Sequence, residues 1–202
     1  MKLGPKKTVF IYIFGGIGNQ LFQYYAALAF ARKLNASLEM RLARNFISLS
    51  QGRNSGIDNL NLEGHISKGV IMPTFRELLL RRAMPFLTNK RLNFIFHTLG
   101  IFVEPNFEEL LTFNSRRRRI FLIGYFQDYR FFDSPILNQK DRKLHLLNPS
   151  KWFLEMQELF ESSNIIVVHI RRGDYWSHFD SIGVLHLNYF AKALDIINVC
   201  SP

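Results

Sequence analysis

The segment His169-Ile170-Arg171-Arg172-Gly173-Asp174 carries the densest chemistry in the chain. Neighbouring side chains in an extended segment point to opposite sides. One arginine can therefore reach a ligand while the other braces the loop. Arginine suits phosphate because its planar fork donates two parallel hydrogen bonds and keeps its charge. Gly173 lets the backbone turn, and Asp174 can orient an arginine or cap the next turn. The same residues also fit a solvated, salt-bridged strand end. The tripeptide Arg172-Gly173-Asp174 spells a cell-adhesion motif, but it directly follows an apolar run rather than sitting on a long exposed loop.

A second cluster is Gly16-Ile17-Gly18-Asn19-Gln20. Glycines between a strand and a helix let backbone amides approach a phosphate at the helix N-terminus. A dinucleotide fingerprint needs a further Gly or Ala where Leu21 stands, although Glu39 lies where a ribose-binding acid could sit. A tight turn with no ligand is the plain alternative. Arg116–Arg119 is a run of four arginines. It reads as a solvated charge run or as an electropositive face toward a polyanion or anionic lipid. The sequence has no Asp-x-Asp, no His-x-x-x-His and no Gly-x-Ser-x-Gly. A metal-clamped nucleotide-sugar site of the Asp-x-Asp kind and a serine hydrolase therefore have no footing. His65, His97 and His145 read as structural histidines.

These residues need elements to position them. Lys7–Phe14 is β-branched, aromatic and apolar, and reads as a buried strand. Gly15-Gly16-Ile17-Gly18 is a turn, Asn19 takes the N-cap position, and Leu21, Tyr25 and Leu28 follow at helical spacing until Leu34-Asn35. Ser37–Leu42 reads as a second strand. Strand, glycine turn, helix, strand opens an α/β unit with a parallel sheet. Asn45–Asn61 reads as a loop, and Thr74–Leu87 and Arg91–Leu99 as helical or irregular. Ile120–Phe126 reads as a strand, Lys151–Ser162 and Asn188–Val199 as helices. Asn164–Ile170 is a continuous apolar run of the kind buried on both faces of a sheet.

The 202 residues include 26 Lys and Arg against 16 Asp and Glu, a net charge of +10. Residues 1–150 hold 22 basic and 10 acidic residues, while 151–202 hold 4 and 6, so the basic excess is confined to the first part. Such an excess attracts anions without naming one. No nucleic-acid-binding signature accompanies it. Hydrophobic residues make up 48% of the chain, which argues against disorder. Cys200 is the single cysteine, which rules out an intrachain disulfide or a cysteine-based zinc site and points to a reducing compartment. No apolar segment reaches the length of a membrane span. Lys2, Lys6 and Lys7 before Thr8–Phe14 have the outline of a signal peptide, but the run flows into Gly15-Gly16 rather than a cleavage site. A basic leader before a buried strand is the reading adopted.

Gly15-Gly16-Ile17-Gly18-Asn19-Gln20-Leu21-Phe22-Gln23-Tyr24 resembles the opening motif of the family 11 glycosyltransferases, the α-1,2-fucosyltransferases. Gly124-Tyr125-Phe126-Gln127-Asp128-Tyr129-Arg130-Phe131-Phe132 resembles their middle segment. His169–Tyr175 resembles the His-x-Arg-Arg-x-Asp motif shared by α-1,2-, α-1,6- and protein O-fucosyltransferases. Three motifs in the family order, between about Thr8 and Val199, are far more specific together than any one alone.

The resemblance implies an α/β, GT-B-like fold. A Rossmann-type N-terminal domain, residues 1–162, would face the acceptor. Residues 163–202 would supply the first strand and helix of a truncated second Rossmann-type domain that binds GDP-fucose. The implied reaction is inverting, metal-independent transfer of L-fucose from GDP-fucose to the 2-hydroxyl of a terminal galactose in a glycan. No cofactor is implied beyond that donor. Arg171 matches the arginine on the β-phosphate and Arg172 its partner. His169 and Asp174 match positions that shape the donor loop, with Arg171 and Asp174 the expected catalytic pair. Gly16, Gly18 and Asn19 match a turn that approaches the donor from the other domain. Asp174, His178, Asp180 and His186 all lie close enough to be the base. Full-length family members continue past the position of Pro202, so this chain is expected to be an N-terminal part with weak or no activity. The resemblance also implies the cytoplasm, at the inner face of a membrane, with peripheral association and no nucleic-acid partner. The alternative from composition is a non-catalytic protein that binds a polyanion or a membrane surface.

Overall fold

Strand β1, Thr8–Ile13, is apolar along its whole length because both of its edges and both of its faces are covered. It pairs in parallel with β2, Ser37–Leu42, on one side and with β5, Arg119–Ile123, on the other. The computed structural model describes residues 7–42, 56–67, 97–103, 105–113, 117–170, 180 and 183–200. Short strands β3, His65–Ser67, and β4, Ile101–Val103, complete a five-stranded sheet of order β3-β2-β1-β5-β4. Every pairing is parallel. Parallel neighbours need a crossover, and α1, Ile17–Lys33, supplies the one from β1 to β2.

Helix α1 packs tightly because its sequence alternates bulk with small residues. Ala26, Ala27, Ala29 and Ala31 are buried, and Tyr24, Leu28 and Phe30 are fully enclosed between them. A helix apolar on more than one side belongs in a core. Val9, Ile11 and Ile13 share that core with α1, whereas Phe10, Tyr12 and Phe14 form a second cluster with Ile101, Phe121 and Ile123. The period-two alternation of β1 thus separates two apolar layers. Phe30 meets the Phe102 ring at 5.7 Å between centroids, tying α1 to β4. Asn35 ends the helix in the left-handed region at φ 49°, a conformation asparagine tolerates.

Two short helices cap themselves. Asn106 and Glu109 form a reciprocal capping box at α2, Phe107–Thr112, and Asn138 and Asp141 do the same at α3, Gln139–Arg142. Gly56–Asn59 is a 3-10 turn within the segment expected as a loop. Thr74–Leu87, Arg91–Phe96 and Arg116 lie outside the described residues. Arg117, Arg118 and Arg119 are exposed, and the Arg118 carbonyl accepts from the Thr8 amide where β1 begins. The basic run therefore sits at the amino edge of the sheet.

The chain divides into two compact units, residues 1–148 and 149–202. The second contains α4, Lys151–Ser162, capped by the Ser150 hydroxyl, and α5, Leu187–Cys200. The sequence reading of Asn164–Ile170 needs correction here. These residues form no strand, and Val167 is 67% exposed. A doubly buried strand exists only with partners on its edges, and the described residues of this unit hold no other strand. No helix among the described residues is long and apolar enough to cross a membrane.

The packing of α1 predicts that Phe30→Ala lowers the unfolding free energy by about 3–5 kcal/mol. Leu147→Ala, at a residue 54% exposed, should change it by less than about 1 kcal/mol. Urea unfolding of both variants checks the contrast, and equal shifts would contradict the placement of Phe30.

Candidate functional site

The carboxyl ends of β1 and β5 lie side by side where the sheet order reverses, because the chain leaves β1 toward β2 while β4 flanks β5 on the far side. Open parallel sheets bind ligands in the crevice at such a point. What lines it here is set by two turns, one after each strand.

The first turn runs from Phe14 into α1. Gly15 adopts φ +81°, where a Cβ would lie 3.1 Å from Asn19 Nδ2. This is a position where glycine is required. Gly16 follows in extended conformation as the helix N-cap, with no side chain to accept from the first helical amides. Those amides are donors without intrahelical partners. The sequence placed Asn19 at the N-cap. The helix instead begins three residues earlier, because the two glycines make the turn with backbone alone, and Asn19 becomes part of the first turn of α1.

Two glutamines hold this turn from below. Gln20 Nε2 donates to the Gly15 carbonyl at 2.8 Å, and its Oε1 accepts from the Ile57 amide at 3.2 Å. Gln23 Oε1 accepts from the Phe14 amide at 3.0 Å. Both side chains are buried. A carboxamide can both donate and accept, so one residue type satisfies strand end, glycine turn and loop together. Gln23 Nε2 has no hydrogen-bond partner among the described residues. Both glutamines stood inside the first motif, but sequence reading assigned them no role. The available signal was a pair of uncharged polar residues, three apart, on a helix otherwise apolar.

The second turn follows β5. Tyr125 packs its ring edge-on against Phe14 at 4.9 Å. Phe126 adopts φ +54°, rare for a bulky residue, while its ring stays buried and meets Phe131 at 6.0 Å. The anchored ring and the bond from the Asp128 amide to the Phe126 carbonyl at 2.7 Å fix Gln127 between them. Gln127 Nε2 then donates to Asn19 Oδ1 at 2.7 Å, across 108 positions of sequence. Asp128 accepts from the Arg130 amide and guanidinium, and those bonds hold its carboxyl below the usual carboxylate range. Arg130 also pairs with Glu108 and stacks over Phe107 at 5.1 Å. The charges of Asp128, Arg130 and Glu108 are thus neutralised locally.

Of the site residues expected from sequence, Gly16, Gly18 and Asn19 come together on the first turn of α1. His169 is exposed in the second unit. Arg171, Arg172 and Asp174 lie outside the described residues. Gln127, Gln20 and Gln23 are the polar side chains that sequence reading did not single out.

The chain is 26% identical, over 84% of its length, to an alpha-1,2-colitosyltransferase of Escherichia coli. It is 30% identical, over 91% of its length, to the O-antigen biosynthesis glycosyltransferase WbnK of Escherichia coli. Both relatives are glycosyltransferases. The chain spans 56% of the first and 66% of the second. No family model matches the chain, and no solved structure matches it. The parallel sheet bears out an α/β fold.

Tyr24, the last residue of the first motif, braces the same helix. Its hydroxyl accepts from the Glu63 amide at 3.1 Å, and burial pushes its pKa from 10.0 to about 12. An unfolded tyrosine loses its proton near 10, so the folded form holds the proton over a higher range. The stabilisation is complete below pH 10 and is lost as pH rises from 10 through about 12. Tyr24→Phe should therefore flatten the alkaline fall in stability over that range. A Tyr24→Phe protein with an unchanged alkaline slope in urea titrations would contradict this.

Proposed function

We propose that this protein transfers L-fucose from GDP-fucose to the 2-hydroxyl of a terminal galactose in a glycan, as the family 11 resemblance implies. The observation that carries the reading is the Asn19–Gln127 hydrogen bond, which joins two of the three motif segments at the switch point of the sheet. Motifs that resemble one family in order, and that meet in space, support a shared site. The printed names of the two relatives support sugar transfer.

In this reading the acceptor oxygen attacks C1 of the fucosyl group. The bond from C1 to the β-phosphate oxygen breaks, its electron pair leaves on GDP, and the hydroxyl proton passes to a base. Configuration at C1 inverts in the single displacement. Arg171 stabilises the charge that develops on the leaving diphosphate, and Arg172 supports it. His169 and Asp174 shape the donor loop, and Gly16, Gly18 and Asn19 approach the donor from the first unit. No metal takes part in this mechanism. Among the candidate bases, His186 accepts from the Asn188 amide through Nδ1 at 3.3 Å and so caps α5. Asp174, His178 and Asp180 stand beside it as candidates. The proposed setting is the cytoplasmic face of a membrane, with Arg117–Arg119 exposed toward anionic headgroups. A colitosyl donor is the second reading, favoured by the name of the first relative.

Transfer from labelled GDP-fucose and GDP-colitose to a galactose-terminated acceptor tests the proposal. In an enzyme spanning the relatives' full length, turnover with GDP-fucose is expected, and Arg171→Ala there should reduce it by about 10²–10³-fold. Preference for GDP-colitose would replace the donor. An unchanged rate would remove Arg171 from the mechanism, and transfer from neither donor would overturn the reading.

A further inference from the structure

The Asn19–Gln127 pair is half of a hydrogen-bonding surface. Each carboxamide has an oxygen acceptor with two lone pairs and a nitrogen carrying two donors. Their mutual bond uses one donor of Gln127 and one lone pair of Asn19. Among the described residues neither side chain makes another hydrogen bond. Gln127 Oε1 with one Nε2 hydrogen, and Asn19 Nδ2 with one Oδ1 lone pair, therefore remain, acceptors and donors on adjoining groups. Exchanging oxygen and nitrogen in both amides leaves the same inventory, so the point does not depend on how the amides are turned.

This inventory discriminates between ligands. A phosphate offers only acceptors, so it would pair with the amide hydrogens and leave Gln127 Oε1 and the spare Asn19 lone pair without a donor. A sugar hydroxyl both donates and accepts, and two neighbouring hydroxyls on a ring can satisfy both amides together. Among the described residues the charges of the neighbouring turn are paired, Arg130 with both Asp128 and Glu108. The pair is also held in place. Phe126 is kept at φ +54° by its buried ring, which fixes Gln127, and Gly15 leaves room for Asn19 where any side chain would press on it. Ordering polar side chains before binding lowers the entropy lost on binding.

We infer that Asn19 and Gln127 form a clamp for adjacent ring hydroxyls of a sugar, and that Gln127 is a specificity-determining residue of this site rather than a diphosphate contact. The inference rests on the sugar-transfer reading for the class of ligand. The ring belongs either to the acceptor or to the transferred sugar, and the chemistry of recognition is the same for both.

The experiment uses the full chain with three probes, methyl β-galactoside, methyl α-fucoside and GDP, followed by titration in ligand-observed NMR. Asn19→Ala and Gln127→Ala should each weaken one glycoside by about tenfold, the loss expected for an unpaired polar group. The double variant should lose little more than either single variant, because the two side chains act as a unit. GDP binding should stay within about twofold of wild type in the Gln127 variants. Gln127→Glu keeps the shape and removes the amide donors, so it checks that any loss is chemical rather than structural. It should cost less than Gln127→Ala, because the Oε1 acceptor that the hydroxyl uses is kept. The glycoside that weakens identifies the source of the ring. Unchanged binding of both glycosides, equal loss of GDP, or no glycoside binding by the wild type would overturn the clamp. GDP-fucose turnover is measured on the same samples. Turnover unaffected by the variants refutes the clamp and leaves the transferase reading. Glycoside losses with no turnover from an enzyme spanning the relatives' full length refute the fucosyltransferase reading and leave the clamp.

Discussion

Strand β1 is paired on both edges and covered on both faces, and everything else in the first unit is placed by that burial. A strand in the middle of a parallel sheet cannot end in a hairpin. Its chain must climb over the sheet, and it does so through α1. The exit from β1 is therefore a sharp turn directly over the sheet edge. That turn leaves polar backbone groups near an apolar core, and each must find a partner. Gln20 and Gln23 meet this demand from within the helix. The partnerless Nε2 of Gln23 marks the point where the satisfaction is incomplete.

The same constraint explains why the functional turn is built of small residues. Gly15 must take a positive φ, and Asn19 packs where its Cβ would be. Across the crevice, a bulky residue at positive φ does the opposite job. Phe126 spends conformational strain, of order 1–3 kcal/mol for such outliers, to present Gln127 while burying its ring. Strain at this point and glycine at the other serve one geometry, the approach of two carboxamides across the switch point.

Much of this was legible in the sequence. The apolar run at Thr8–Ile13, the glycine turn and the helical spacing after Asn19 defined β1, α1 and β2 with small errors at the ends, because these signals are local. The N-cap was misplaced by a local rule as well, since a glycine pair can end a strand and start a helix with no side-chain cap. The partnership of Asn19 with Gln127 was not legible. It depends on β5 lying next to β1, and sheet order is not written in any window of sequence. The apolar run at Asn164–Ile170 shows the converse, because composition suits a strand but cannot supply the neighbour that makes one. His169 lies within that run and is exposed with it.

The account places sugar recognition on two turns that sequence separates and the sheet unites. Amide hydrogen exchange of the full chain, with and without GDP-fucose and a galactoside, tests that most directly. Slowed exchange in Gly15–Gln20 together with Gly124–Asp128 is the expected result. Slowed exchange in neither turn, with protection only in the cavity of about 190 Å³ lined by Tyr24, Arg32, Glu63 and Asp141, would contradict it.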